Sequence, residues 1–142
     1  MHKLTEDGKA KLRQVARFLA ENPNRFDMNH VFANQEESLP PCEFDFNDCG
    51  TTMCIAGAVE AFFDPDFQKL RFSPCAVRNA MTILSGEFDD DLNRLFMAYP
   101  DEESSLPGLN SNNVIEAIEV FVESGIDGVE TFLGCSLRDR YL

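Results

Sequence analysis

The residues that could do chemistry are concentrated in one segment, Asn47–Ala58, which reads NDCGTTMCIAGA. It holds two thiols, two hydroxyls and two glycines where we expect a loop to pass into a helix. The first N–H groups of a helix have no partner inside the helix, so such a start can receive an anion or lower the pKa of a thiol placed against it. The segment therefore predicts either a reactive Cys49 or a small anion pocket that Cys49 forms with Thr51 and Thr52.

The same segment also has a purely structural interpretation. Asp48 or Thr51 can cap the helix, since short polar side chains accept hydrogen bonds from first-turn N–H groups. Cys49 is then a small filler residue. Cys54 lies more than one turn further along and becomes a core residue, because cysteine is among the most buried residue types. The sequence leaves both interpretations open.

A catalytic cysteine normally needs a histidine base, and the chain contains only His2 and His30. His30 precedes the motif in a loop and could serve Cys49, with Asp27 or Asp48 orienting its ring. A lone loop histidine is more often a surface residue, however. We therefore assign no catalytic residue, and the candidate binding or reactive site consists of Asp48, Cys49, Gly50, Thr51, Thr52, Cys54 and His30.

The cysteines follow no standard metal-binding or disulfide pattern. Cys42, Cys49 and Cys54 with His30 would supply a Cys3His set, but separations of six and four residues differ from the C-x2-C spacing of zinc modules. Five cysteines in total, an odd number without a visible export signal, argue against a disulfide framework. We predict no metal and no cofactor.

Two stretches of the sequence, RFDM at 25–28 and CGTTMCIAG at 49–57, resemble a group of small uncharacterised bacterial proteins with an FDM … CGTxxCIAG signature. Those proteins often carry Trp where this chain has Ala58. The resemblance is specific over residues 25–57 and looser over the rest of the chain. It implies no biochemical activity, but it emphasises the positions Cys49, Gly50, Thr51, Cys54, Ile55, Ala56 and Gly57.

Apolar periodicity predicts the helices that must position this segment. Leu12, Val15, Ala16 and Leu19 follow the i, i+3, i+4, i+7 spacing of a first helix that ends at 22–23. The other predicted helices run from about Thr51 to Phe63, from Ser73-Pro74 to Gly86, from Asp89–Asp91 to Pro100, and from a capping pair of Asn113 and Glu116 to Gly125. The tail 129–142 is expected to form a further short helix.

Small residues around Ala58 suit the close approach of another helix, and we expect this to be helix five through Phe121 and Val122. Residues 24–50 are predicted to be an ordered loop, since prolines at 40–41 break any helix and Phe44 and Phe46 alone are too few for a strand. The predicted fold class is all-α: residues 1–142 form a single irregular bundle of five to six helices with an ordered loop after helix one.

Composition excludes several function classes. The chain has 142 residues and a net charge of −13, which opposes binding to nucleic acids and to anionic membranes. No apolar run is long enough to cross a bilayer, and the acidic start lacks a secretory core, so we expect a soluble cytoplasmic protein. Residues 87–130 carry twelve acidic side chains against one basic one. This acidity serves solubility, attracts a basic partner or imitates DNA.

These observations favour a non-enzymatic helical domain that binds a macromolecule or a small ligand, an unknown protein being one candidate partner. The loop 24–50 and the Cys49–Cys54 helix start are its most specialised surface. Two alternatives remain: a thiol-dependent enzyme with Cys49 as nucleophile and His30 as base, and an acidic inhibitor or DNA mimic. The sequence predicts no oligomeric state.

Overall fold

The computed structural model describes residues 3–26, 28, 32–34, 37–38, 51–64, 66, 73–98 and 107–137. This part of the chain is mainly helical, which confirms the predicted all-α class. Its helices are α1 (Glu6–Glu21), α2 (Ile55–Phe63), α3 (Ser73–Ser85), α4 (Asp90–Phe96) and α5 (Val114–Leu133), and its short strands are β1 (Phe32–Asn34), β2 (Glu37–Ser38) and β3 (Thr51–Met53). None of the helices within these ranges is both long and apolar enough to span a bilayer.

Helix α1 confirms the first predicted helix and lies at the centre of the packing. Its N-cap Thr5 accepts a hydrogen bond from the backbone N–H of Gly8 (2.9 Å), and its predicted apolar stripe is buried. Gly8 allows α1 to touch α3, because a Cβ atom at this position would lie 1.9 Å from the carbonyl oxygen of Leu84. The same carbonyl accepts from the backbone N–H of Thr5 (3.3 Å). The start of α1 is therefore fastened directly to the end of α3.

A short antiparallel sheet precedes α2, and this corrects the predicted start of the second helix. Strand β3 pairs with β1, so that Thr52 lies opposite Ala33, and β1 pairs with β2 on its other side. Thr51–Met53 is therefore a strand where we predicted the first turn of a helix. The β-branched side chains of Thr51 and Thr52 favour a pleated strand once a partner strand is present.

The predicted packing of helix five on the central helix is wrong. The main neighbours of α2 are α3 and α1, whereas α5 packs against α1 and α4. Ala58 is fully buried, as expected for a residue at a close helix contact. Helix α1 contacts both α2 and α5.

Helix α5 consists of two helical segments that meet at Gly125, the residue where we predicted that the fifth helix ends. Gly125 has φ 70° and ψ −161°, which kinks the helix, and Asp91 accepts a hydrogen bond from the N–H of Ile126 (3.4 Å) just beyond the kink. This side chain accepts from one of the unpaired N–H groups at the start of the second segment, which runs to Leu133. Gly134, at φ 76°, then ends it with its N–H donating to the carbonyl of Glu130.

Candidate functional site

Three of the seven predicted site residues fall in the described part of the chain. Thr51 and Thr52 lie on β3, and Cys54 stands between this strand and α2. The other four, His30, Asp48, Cys49 and Gly50, lie outside the described residues. Cys42 lies outside them too. The proposed pairing of His30 with Cys49 and the Cys3His set therefore stay predictions.

Cys54 is the N-cap of α2, a role that we had predicted for Asp48 or Thr51. Its backbone is extended (φ −86°, ψ −177°), and its Sγ accepts a hydrogen bond from the N–H of Gly57 at 3.5 Å. The side chain is only 4% exposed. Cys54 takes this role because β3 occupies the three positions before it, so that the helix starts later than we predicted. Cys54 thus combines the capping and core functions of the structural interpretation.

A groove of about 80 Å³ lies between α1 and α5, where the sequence predicted no site. Its floor is apolar, with Ala16 and Ile118 buried and Ile115 still 49% exposed. Its wall is charged: Arg13 donates from Nε and Nη2 to the two carboxylate oxygens of Glu119, at 2.7 and 3.2 Å. This hydrogen-bonded pair raises the pKa of Arg13 above its ordinary value.

Arg17 lines the same groove one turn further along α1. It is exposed, and the part of the chain that the structure describes gives it no acidic partner. The remaining lysine and arginine ion pairs of α1 lie elsewhere on the helix: Lys9 pairs with Glu6 and Lys11 with Asp7, both at 2.8 Å. The groove therefore presents one guanidinium held by Glu119 and a second one that is available to a ligand.

A buried carboxyl cluster lies at the other side of the core, near the end of α2. Glu60 is fully buried, and Asn79 of α3 donates from Nδ2 to its Oε2 at 2.5 Å. The same amide nitrogen donates to Oδ2 of Asp64, four residues after Glu60. Oε1 of Glu60 has no hydrogen-bond partner within the described ranges. Three polar side chains from two helices thus converge in the core with one oxygen left unsatisfied.

Burial raises the pKa of Glu60 to about 8. The hydrogen bond from Asn79 acts in the opposite direction, and the charge of Asp64 together with a hydrogen bond to it raises the pKa further. At neutral pH the Glu60 carboxyl is therefore mainly protonated. Sequence reasoning missed this cluster, although the signal was present: Glu60 is the only charged residue in the helix IAGAVEAFF.

Several described acids of the stretch 87–130 have partners within the fold. Glu87 pairs with Lys3 at 3.4 Å, and Asp90 lies 3.6 Å from Arg94 within α4. Glu119 belongs to the groove described above. Asp89 is buried as the N-cap of α4 and also accepts from the backbone N–H of Lys3 at 2.6 Å. Several acids of this stretch thus have local structural roles.

Within the described ranges, no group of three or more histidine, cysteine, aspartate or glutamate side chains is arranged to hold a metal ion. The resemblance to the proteins with the FDM … CGTxxCIAG signature stays a prediction. No protein-family model matches the chain, and neither a curated protein nor a solved structure is similar to it at a meaningful level.

Proposed function

We propose that this protein is a non-enzymatic binding domain whose groove between α1 and α5 receives an acidic peptide segment of another protein. The observation that carries the proposal is the position of Arg17. It is a guanidinium without an acidic partner among the described residues, and it lines a groove with an exposed isoleucine, Ile115. The loop 24–50, which we expected to form the binding surface, lies largely outside the described residues.

Charge determines what this groove can accept. Guanidinium groups bind carboxylates with directional, charge-assisted hydrogen bonds, so Arg17 favours an acidic side chain of the partner. A peptide needs only one or two such side chains at this place. A nucleic acid brings a charge at every phosphate and would meet the field of a protein with a net charge of −13. The peptide is therefore the better match.

The apolar floor of the groove determines which side chain of the peptide lies beside its acidic residue. Ile115 is one of two large hydrophobic side chains that are exposed in the described part of the chain. A leucine, isoleucine or phenylalanine of the partner would cover it while the neighbouring acidic residue reaches Arg17. A volume of about 80 Å³ accommodates roughly one side chain, which is consistent with a single apolar anchor residue.

Selection from a phage-displayed random peptide library tests this proposal. We expect enriched sequences in which Glu or Asp lies next to Leu, Ile or Phe. Binding of the enriched peptides, measured by fluorescence polarisation, should weaken about tenfold or more in Arg17→Ala, since a hydrogen bond to a charged group contributes about 1.5–3 kcal/mol. Ile115→Ser should also weaken it, by removing the apolar contact.

Arg78→Ala is the matched control, because Arg78 is an exposed arginine of α3 that does not line the groove. This variant should bind the peptides as the wild-type protein does. Enriched peptides without acidic residues would contradict the proposal, and so would equal binding by wild type and Arg17→Ala. A selection that enriches no peptide would also contradict it and would direct attention to a small ligand.

A further inference from the structure

We propose that Glu60, Asp64 and Asn79 form a binding site for a divalent metal ion that prefers oxygen ligands, of the Mg²⁺ or Ca²⁺ class. The site lies at the C-terminal end of α2, where α3 packs against it. It is separate from the groove of α1 and α5, and the two proposals do not depend on each other.

The three side chains of the cluster converge from α2 and α3. Glu60 and Asp64 are four residues apart, so they project from the same side of α2 as its last turn ends. Asn79 comes from a different helix and contacts both carboxylates. Two carboxylates and an amide are typical oxygen ligands of hard divalent cations. Packing of α2 against α3 has therefore brought a suitable ligand set together from two elements.

Oε1 of Glu60 is buried and accepts no hydrogen bond within the described ranges. A buried polar atom without a partner costs about 1–3 kcal/mol, and more if the group is charged. No lysine or arginine of the described chain pairs with either carboxylate. A cation bound between Glu60 and Asp64 would satisfy this oxygen and neutralise both charges.

The end of α2 favours a cation electrostatically. The C-terminal end of a helix carries a partial negative charge from its last carbonyl groups, and this end of α2 is where Asp64 stands as the C-cap. The helix thus adds to the attraction of the two carboxylates for a cation. Asp64 also accepts from the backbone N–H of Asp66 through its other oxygen, at 2.8 Å, which holds its side chain in place.

Asn79 can serve both the metal-free and the metal-bound state. Its Nδ2 donates to both carboxylates in the absence of an ion. The nitrogen and oxygen of an amide exchange places by a half-turn of the side chain, which would direct Oδ1 towards a bound cation as a third ligand. Asn79 and Asp64 are only half-buried, so an ion can enter from their side and keep water ligands there. Mg²⁺ sites in proteins commonly keep several waters.

Only the ionised form of Glu60 is a good ligand for a cation, so a bound ion takes the place of any proton on this carboxyl.

Isothermal titration calorimetry of the full chain tests the proposal, with Mg²⁺, Ca²⁺ and Mn²⁺ as chlorides and protein freed of metal by a chelator. Two buffers of different ionisation enthalpy measure any proton that the ion displaces. We expect one site per chain for at least one of the three ions, a higher thermal midpoint in its presence, and at least tenfold weaker binding by Glu60→Gln and Asp64→Asn. Glu123→Gln, which removes an exposed carboxylate of α5, should bind as the wild type does.

A gain-of-affinity variant gives an independent measurement. Asn79→Asp places a third carboxylate in the cluster, so it should bind the ion several-fold more tightly and be less stable than wild type without it. The proposal is overturned if none of the three ions binds wild type at millimolar concentration. It is also overturned if Glu60→Gln binds equally well, since the ion would then sit on the acidic surface, or if Asn79→Asp gains no affinity.

Discussion

Glu60→Gln tests the buried carboxyl cluster most directly, because it imitates the protonated side chain without the possibility of ionisation. Glutamine can accept from Asn79 through its side-chain oxygen, as Glu60 does. The shape of the side chain hardly changes. Any difference in stability between the two proteins therefore reports the cost of ionising Glu60 in the core.

The direction of the pH effect follows from the raised pKa of Glu60. In the unfolded chain its pKa is near 4.5, and in the folded protein burial raises it to about 8. Between these two pH values the folded state therefore binds more protons than the unfolded state. The contribution of Glu60 to the free energy of unfolding is thus most favourable below pH 4.5. It decreases as the pH rises towards 8 and levels off above that.

The magnitude follows from about 1.4 kcal/mol per pKa unit. The interval from 4.5 to 7 would correspond to about 3 kcal/mol, but the half-buried Asp64 and Asn79 leave the cluster partly accessible to water. We therefore expect roughly 2 kcal/mol at pH 7, after allowing for solvent screening. Glu60→Gln should be more stable than the wild type by about this amount at pH 7, and by about 1 kcal/mol more at pH 8.5.

Urea unfolding at pH 5, 7 and 8.5, in the presence of a chelator, measures this difference. The wild-type midpoint should fall over this range more steeply than that of Glu60→Gln. Glu123→Gln changes the net charge equally from an exposed position and should keep the wild-type slope. The reasoning is refuted if Glu60→Gln is no more stable than the wild type at pH 8.5, or if its pH dependence is as steep.

Three further predictions concern packing and thiol accessibility. Gly8→Ala should lower the free energy of unfolding by about 1–3 kcal/mol in urea denaturation, because the new methyl group would meet the Leu84 carbonyl oxygen. Ala58→Trp should lower the thermal midpoint by overpacking a fully buried position, at a cost of at least about 1–3 kcal/mol. A thiol reagent should modify Cys49 in the folded protein and leave the buried cap Cys54 unmodified until the protein is denatured.

Each of these outcomes has a clear contrary result. Gln14→Ala, an exposed change on the same helix, is the control for Gly8→Ala, and equal stability of the two variants would mean that α1 and α3 separate easily. An unchanged or raised midpoint for Ala58→Trp would reveal space beside α2. Equal protection of Cys49 and Cys54 would remove the thiol-enzyme alternative, and rapid labelling of Cys54 in the native state would contradict its burial.

Local patterns in the sequence were sufficient for the helical class and for much of each helix. The stripe of α1 and its end near residue 22 depend on apolar spacing and on Pro23, both of which act over a few residues. The N-cap role of an aspartate before α4 is equally local, since Asp89 accepts from the N–H groups of Asp91 and Leu92. These interactions form within one or two turns, so the sequence alone determines them.

Other features depend on a partner that is distant along the chain. Thr51–Met53 is a strand because β1 lies beside it, and without that partner the same residues were predicted to start a helix. Helix α5 resumes after Gly125 with a side chain 35 residues earlier, Asp91, hydrogen-bonded to its next N–H group. The local spacing of apolar residues predicts neither contact.

The candidate sites belong to this second group. Arg13 and Glu119 are 106 positions apart, and the groove beside them exists only because α1 packs against α5. Glu60 was visible in the sequence as a lone charge on an apolar helix, but its burial and its contact with Asn79 arise from the packing of α2 on α3. Apolar spacing and the prolines therefore predict most of the helices. Which side chains meet follows from how those helices pack, because the energy of burying a charge or pairing two ions depends on the distance between groups that the chain brings together from far apart.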